Sequence, residues 1–308
     1  MRFYHRPKFK KILYGIIAAG FIFGVQALDR ALSRTTDYGL LSTAAPHMTL
    51  TIMDVGQGDA ILAQEGDRQI LIDGGPDATV LEKLGALMPV GDRTIDLVVL
   101  THPHADHVSG LAQVLARYDV QRVLTTDVPN DTATFFTWRD LITEKKIPVD
   151  RAPTTKQEIV GNMTYDVLTA GTEQGIVATD HPGNSGGFND ASIVGMLHYG
   201  KEKFLLMGDA TIDVEVSLRQ KYTDLRADFL KIGHHGSKYS TSEAFLDAVQ
   251  PTYAAISVGA KNTYGHPAWR VIRLLEKLGI IAYRTDRNGN ITASTDGDSL
   301  QIQVEKLP

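Results

Sequence analysis

The sequence predicts an α+β (α/β) protein made of two sheets with helices on their outer sides. Three observations carry this. Strand-like and helix-like segments alternate along most of the chain. Some strands, such as "TIDLVVLTH", are continuous apolar runs of strand length, the mark of a strand covered on both faces. The pattern also occurs twice, each half opening on strands and continuing as strand and helix in turn, with no short-period repeat.

The chain has 308 residues, 43% of them hydrophobic, which is enough for a real core. It has no cysteine, so disulfides, thiolate metal sites and a cysteine nucleophile are excluded. Five of its 31 Lys and Arg (Arg2, Arg6, Lys8, Lys10, Lys11) fall in residues 1–11, which carry no acid, so the body is more acidic than the net charge of −5 implies. A broad electrostatic grip on nucleic acid is not expected from such a body.

Residues 12–28, "ILYGIIAAGFIFGVQAL", are apolar except for Gln26. As a helix they would span about 25 Å, against a hydrocarbon thickness of about 30 Å. We read them as a single transmembrane anchor; the alternative is a signal segment cleaved after "VQA". The basic residues 1–11 keep the N-terminus cytoplasmic and place the body outside the cytoplasm, anchored to the cell membrane or secreted after cleavage. Residues 29–47 lack a sustained period and read as a tether, and 48–308 form the body.

In the body, "MTLTIMDVG" is a strand, and "QGDAILAQEGDRQILIDGG" is a hairpin around "EGD". "TVLEKLGALM" is a helix, "TIDLVVLTH" a strand, "GLAQVLARY" a helix and "VQRVLTT" a strand. "TFFTWRDLITEKK" is a helix and "MTYDVLTA" a strand, followed by a Gly-rich loop over 171–188 of the length usually reserved for function or mobility. "ASIVGMLHYGKEKFLLMGD" gives two strands joined at "YGKEK". Helix "TIDVEVSLRQKY", strand "ADFLKIG", loop "HHGSKYS", helix "EAFLDAVQ", strand "YAAISVG", loop "AKNTYGHP", helix "AWRVIRLLEKLG" and strand "IAYRT" follow, then a closing hairpin around "RNGN" and "DGD".

The chemistry gathers in loops that follow apolar strands. "LTHPHADHVSG" places His102, His104, Asp106 and His107 within six positions of a chain that has ten histidines. Asp73 ends "ILIDGG", Asp209 ends "FLLMGD", His234 and His235 follow "LKIG", and His266 lies in "NTYGHP". Strand ends on one side of a layered sheet lie together, so these loops can converge. One catalytic zinc needs about three protein ligands, whereas this set is larger, so two metals fit better. Two cations can activate water between them and clamp the entering and leaving oxygens. Imidazole with carboxylate favours Zn2+, with Mn2+ or iron as alternatives.

"THPHADH" followed by Gly110, with "ILIDGG" before it and "GD" after it, resembles the H-x-H-x-D-H hallmark of metallo-β-lactamase-fold hydrolases. "DVGQGDAIL", "LIDGGP", "YGKEKFLLMGD", "LKIGHHGSKYSTS" and "NTYGHP" are more narrowly similar to the hydrolase domain of ComEC-type DNA-uptake channels and its free-standing relatives. The similarity runs from about Leu50 to Ile302 and takes in none of the multispan channel, so a free-standing, anchored version is expected. It implies a four-layer αββα sandwich. It also implies a first metal on His102 and His104 completed by His235, a second on Asp106 and His107 completed by His266, and Asp209 bridging the two. Asp106, His234 and Lys238 would serve the reacting centre, with Ser237 facing the substrate phosphate and Asp73 bracing the histidine loop. Asn189, in "FNDAS", stands where most of the wider superfamily has a metal-binding histidine. Asp59, in "GQGD", is either a turn carboxylate or a brace behind a ligand, and Asp209 could also cap the following helix. His181 and His198 are given no role.

The expected reaction is hydrolysis of a phosphoester, with extracytoplasmic DNA, single-stranded DNA or a small phosphoester as substrate and a DNA-uptake channel as a possible partner. Lys231, Lys238, Lys261 and Arg270 are expected to form a local cationic patch. Two other readings compete: a lactone or β-lactam hydrolase on the same fold, and a non-catalytic membrane-tethered binding module. A di-iron redox protein would have glutamate where His104 stands.

Overall fold

The computed structural model describes residues 48–152, 157–169 and 187–307. The anchor and tether expected over 1–47 lie outside them, as do His181 and nearly all of the Gly-rich loop. No helix among the described residues is long and apolar enough to cross a membrane.

In chain order the strands are β1 (Met48–Ile52), β2 (Ile61–Glu65), β3 (Arg68–Ile72), β4 (Thr94–Ile95), β5 (Leu97–Leu100), β6 (Asp119–Val120), β7 (Val123–Thr126), β8 (Val149–Ala152), β9 (Glu158–Val160), β10 (Met163–Thr169), β11 (Val194–Tyr199), β12 (Glu202–Leu206), β13 (Phe229–Lys231), β14 (Tyr253–Ile256), β15 (Ile281–Arg284), β16 (Ile291–Thr295) and β17 (Leu300–Val304). The helices are α1 (Thr79–Leu87), α2 (Ala105–Arg117), α3 (Ala133–Lys145), α4 (Ile212–Lys221), α5 (Glu243–Val249), α6 (Trp269–Lys277) and the single turn α7 (Thr285–Asn288). One sheet has the order β17-β16-β1-β2-β3-β5-β7-β8, the other β15-β14-β13-β12-β11-β10-β9, and β4 and β6 form a small parallel ladder.

Three buried clusters fill three interlayer spaces, and the period of two along each strand decides which side chain enters which. Leu97 and Val99 on β5 join Phe204, Leu206 and Phe229 of the other sheet in the central core. Val98 and Leu100 point the opposite way, onto Val80, Leu84, Val108 and Leu111 of α1 and α2. On the far side, Leu205, Leu230 and Ile256 pack on Val214, Phe245, Val271 and Leu275 of α4, α5 and α6. Each large apolar side chain buried this way contributes roughly 1.5–3 kcal/mol. The layers are therefore helix, sheet, sheet, helix.

The expected boundaries move in four places. Helix α2 starts at Ala105, not Gly110, because His104 is extended at its N-cap and the polar motif itself makes the first turn. Run "TIDLVVLTH" divides at Asp96, whose carboxylate accepts from the Gln69 N–H (2.9 Å) and from Arg68 Nη1 (2.9 Å). Strands β8 and β9 were not anticipated; they are short and lack a sustained apolar run. Finally, "RNGN" is no hairpin turn: β15 pairs with β14 in one sheet and β16 with β1 in the other, so α7 carries the crossover between sheets. Of these last two turns, the "DGD" turn alone joins a hairpin, β16 to β17.

Candidate metal centre

The site lies where the C-terminal ends of parallel strands in both sheets meet. β3 delivers Asp73, β5 delivers Thr101 and His102, β12 delivers Asp209, and β13 delivers His234 and His235. The sheets are stitched together at this end: Ile193 N–H donates to Thr101 O (2.9 Å) and Ser257 Oγ donates to Gly58 O (2.6 Å). Two glycines permit the close approach. A Cβ on Gly110 would stand 1.7 Å from the Gly74 carbonyl oxygen, and one on Gly58 2.2 Å from the Asp106 carbonyl oxygen. Asp73 (φ 58°), His234 (φ 48°) and His235 (φ 52°) hold left-handed backbone, a conformation that costs non-glycine residues free energy and gathers at functional sites.

Asp73 organises the histidine loop. Its carboxylate accepts from Thr101 N–H (2.8 Å), Thr101 Oγ1 (2.7 Å) and His107 Nδ1 (2.7 Å). Since the Thr101 hydroxyl gives its only proton to Asp73, it accepts from His102 Nδ1 at 3.0 Å. His235 Nδ1 donates to the Ser257 carbonyl at 2.9 Å. Three imidazoles thus have Nδ1 anchored and Nε2 turned towards one volume, the arrangement that fixes tautomer and aim in metal-binding histidines.

Around that volume His102 Nε2 stands 2.9 Å from His104 Nδ1. Asp209 Oδ2 lies 3.5 Å from His107 Nε2, 3.8 Å from His102 Nε2 and 3.9 Å from His234 Nε2. Asp209 Oδ1 and Asp106 Oδ2 each lie 3.5 Å from His235 Nε2. His107 Nε2, His235 Nε2 and Asp209 Oδ1 are buried without a hydrogen bond among the described residues. Separations of 3.5 Å are long for hydrogen bonds but suit two ligands on either side of a cation at about 2.0–2.2 Å from each. The residues therefore fit divalent metal, and donors from His102, His107 and Asp209, and from Asp106, His107 and His235, lie within 4.8 Å of one another in each group.

A family comparison matches residues 53–260 to the metallo-beta-lactamase superfamily. The chain belongs to that superfamily. ComE operon protein 3 of Bacillus subtilis is 30% identical over 78% of this chain, and competence protein ComA of Neisseria gonorrhoeae is 28% identical over 78%. The chain spans only about a third of their length, 32% and 31% respectively. The crystal structure of the metallo-beta-lactamase fold protein YhfI from B. subtilis shares the fold, with a TM-score of 0.52 at 14% identity over 77% of this chain and 95% of that one.

This superfamily member divides its candidate ligands differently from the sequence reading. His235, expected beside His102 and His104, lies instead with Asp106 and His107. His266, expected to complete that second group, joins no ligand-competent group among the described residues; its ring packs edge-on to His234 at 5.4 Å and stacks on Tyr264. His234 instead shares Asp209 Oδ2 with His102, and its Nδ1 is 3.5 Å from Asn189 Nδ2. Asp209 does not cap α4, whose N-cap is Thr211. Ser237 lines the pocket, but its Oγ accepts Tyr239 N–H at 3.3 Å. His198 lies apart on β11, 3.2 Å from Asp166.

The largest departure concerns Lys231. Placed in a cationic patch by sequence, it is fully buried and ion-paired to Asp59, with Nζ also donating to Gly208 O at 3.4 Å. Asp59 in turn lies 3.4 Å from His235 Nδ1. The clue was present: a lysine inside the apolar strand run "ADFLKIG" must be buried, and a buried ammonium needs a carboxylate. Thr101 was missed because a single hydroxyl before the motif carries no pattern.

Electrostatics follow the geometry. Burial opposes charge on His235, yet Asp209, Asp59 and Asp106 outweigh it and push its pKa up to about 10. His107 likewise rises well above its ordinary value, with Asp209 and Asp73 overcoming burial. Burial drives His102 well below its usual range, reinforced by His107. Asp209, against the effect of burial, is held well below the carboxylate range by His235 and His107. His266 falls to about 4 through burial and its histidine neighbours, so its imidazole is neutral at pH 7.

Proposed function

We propose that this chain is a two-metal phosphodiesterase acting on DNA outside the cytoplasm, anchored to the membrane by residues 12–28. His102, His104 and Asp209 would hold one ion, and Asp106, His107, His235 and Asp209 the other, with Zn2+ the first choice and Mn2+ the second. Bound divalent ions supply Lewis acidity and lower the pKa of water towards 7. Asp73, through Thr101 and His107, keeps the ligand nitrogens aimed. His234, whose pKa burial lowers, offers a neutral imidazole at the pocket wall, and exposed Lys238 places a cation there for a phosphoryl oxygen. The acidic Asp106 and Asp209 would repel an anionic substrate unless cations neutralise them first.

The observation that carries this reading is the shared pocket. A cavity of about 480 Å³ is lined by His104, Asp106, Asp209, His234 and His235 together with Ser237 and Lys238, so metal donors and groups suited to phosphate face one space. The competence names of the two relatives favour DNA. Metal analysis of the purified protein, then hydrolysis of a single-stranded oligonucleotide and a bis-aryl phosphate, tests it. Two metal equivalents are expected, with activity reduced more than about a hundredfold in His104→Ala. Metal-loaded protein that opens lactones or β-lactams and leaves phosphodiesters intact would replace this reading with that hydrolase. Protein that takes up no metal yet binds a partner would replace it with a binding module.

A further inference from the structure

The wall of the metal pocket carries one exposed aromatic ring, and the residue that follows its wall residue Ala268 carries a second; no part of the hydrolytic reading uses either. Tyr264 lines the pocket and is 70% exposed; Trp269, the first residue of α6, is 74% exposed. Large apolar side chains this exposed cost a soluble protein free energy unless something covers them, and these two lie five positions apart beside the site.

The rim that presents them is a built structure. Asn262 Nδ2 donates to Gly259 O and His266 O (2.8 Å each), and Asn262 Oδ1 accepts His266 N–H at 3.0 Å. Tyr264 rests nearly parallel on the His266 ring, with centroids 5.8 Å apart and planes 19° apart. Even so, Tyr264 is 70% exposed. Arg270, expected to meet phosphate, instead donates to the carbonyls of Thr241 (2.9 Å), Lys238 (3.1 Å) and Ser240, tying the Lys238 loop to α6. Ala268 N–H adds a bond to Gly236 O at 2.8 Å. Arg273 stands 5.1 Å from the Trp269 ring centroid, and Lys238, which lines the same pocket as Tyr264, lies over the neighbouring Tyr239 ring at 4.9 Å.

We propose that Tyr264 and Trp269 form a nucleobase-stacking subsite at the pocket mouth, and that the substrate is a single nucleic-acid strand. This rests on the phosphodiesterase reading. Flat exposed π faces beside ammonium and guanidinium groups match a base attached to a phosphate, and such stacking tolerates any base sequence. A duplex keeps its base faces covered by neighbouring pairs, so it cannot offer one to Tyr264. The net-acidic body also does not favour the broad electrostatic grip that duplex binding uses.

Trp269 supplies its own probe. The other tryptophan, Trp138, is 2% exposed, so quenching of emission by a ligand reports on Trp269. Binding of a short oligothymidylate to the full chain should be compared with binding of an abasic strand of the same length, which carries the same phosphates without bases. The oligothymidylate should bind about tenfold more tightly and quench the emission. Tyr264→Ala should remove most of that preference while leaving the abasic strand's affinity unchanged, and Tyr264→Phe should keep it. Both variants alter an exposed ring, and their circular dichroism should match the wild type. Equal affinity for both strands, equal weakening of both by Tyr264→Ala, or tighter binding of duplex would overturn the inference. Cleavage is scored separately: metal-loaded protein that cuts neither strand defeats the phosphodiesterase reading, while the quenching data still decide stacking.

Discussion

Lys231→Met tests the most unexpected contact of the site. The lysine and Asp59 are 0% and 1% exposed at their side chains and form a buried ion pair. Methionine keeps the length and apolar stem of lysine and removes the charge, leaving Asp59 as a buried carboxylate that shares His235 and His107 with Asp73 and Asp209. Breaking a buried pair from one side costs about 3–5 kcal/mol, a large share of a total stability of about 5–15 kcal/mol. Removing both charges, in Lys231→Met with Asp59→Asn, relieves the stranded carboxylate, so the double variant should recover most of that loss. The assay is denaturant unfolding of the metal-free wild type, both single variants and the double variant, read as a double-mutant cycle. A coupling of about 2 kcal/mol or more is expected. Additive losses would refute the pairing. A stable Lys231→Met variant with weakened substrate binding would restore the lysine to the surface patch where sequence placed it.

Metal binding should expel protons, because His235, raised to about 10 by Asp209, Asp59 and Asp106 against burial, is charged in the metal-free protein at pH 7. The ion-pair stability it contributes is complete below its unfolded value near 6.5 and is lost as pH rises through about 10. Metal affinity should therefore rise with pH over that window, and calorimetry in buffers of different ionisation enthalpy should count the released protons. Asp73→Asn exchanges one acceptor oxygen for a donor among three incoming hydrogen bonds; metal affinity by chelator competition should fall about 10–100-fold. Gly110→Ala forces a methyl group to within 1.7 Å of the Gly74 carbonyl oxygen, and should cost about 1–3 kcal/mol or more, seen as a lowered melting temperature.

How much of this was legible in sequence depended on the kind of signal. Strands buried on both faces announce themselves as unbroken apolar runs, and the dense motif from His102 to His107 marks its own position, so the loops carrying the candidate ligands were found. The partition of those ligands was not, because "HH" gives adjacent residues no distinguishing environment. Two successive left-handed residues, His234 and His235, turn neighbouring imidazoles to different sides of Asp209, and no periodicity encodes that. The "RNGN" segment failed for a similar reason: turn residues signal a reversal of direction but not which sheet receives the next strand.

The position of the site follows from the same two-sheet construction. His102, His104, Asp106 and His107 belong to the first sheet's loops, while Asp209, His234 and His235 belong to the second's, so neither half owns a full set of donors. The central apolar core aligns the sheets, but it is non-directional and sets distances only loosely. Directional contacts at the shared edge do the finer work: Ile193 to Thr101, Ser257 to Gly58, and Lys231 to Asp59 each join an atom of one half to an atom of the other. Two of the three bear directly on groups that anchor Nδ1 of a candidate ligand, Thr101 for His102 and Ser257 for His235. Thr101 and Ser257 thus stitch the sheets together with one polar atom and aim an imidazole with another, so a contact behind the pocket bears on the site as a residue inside does.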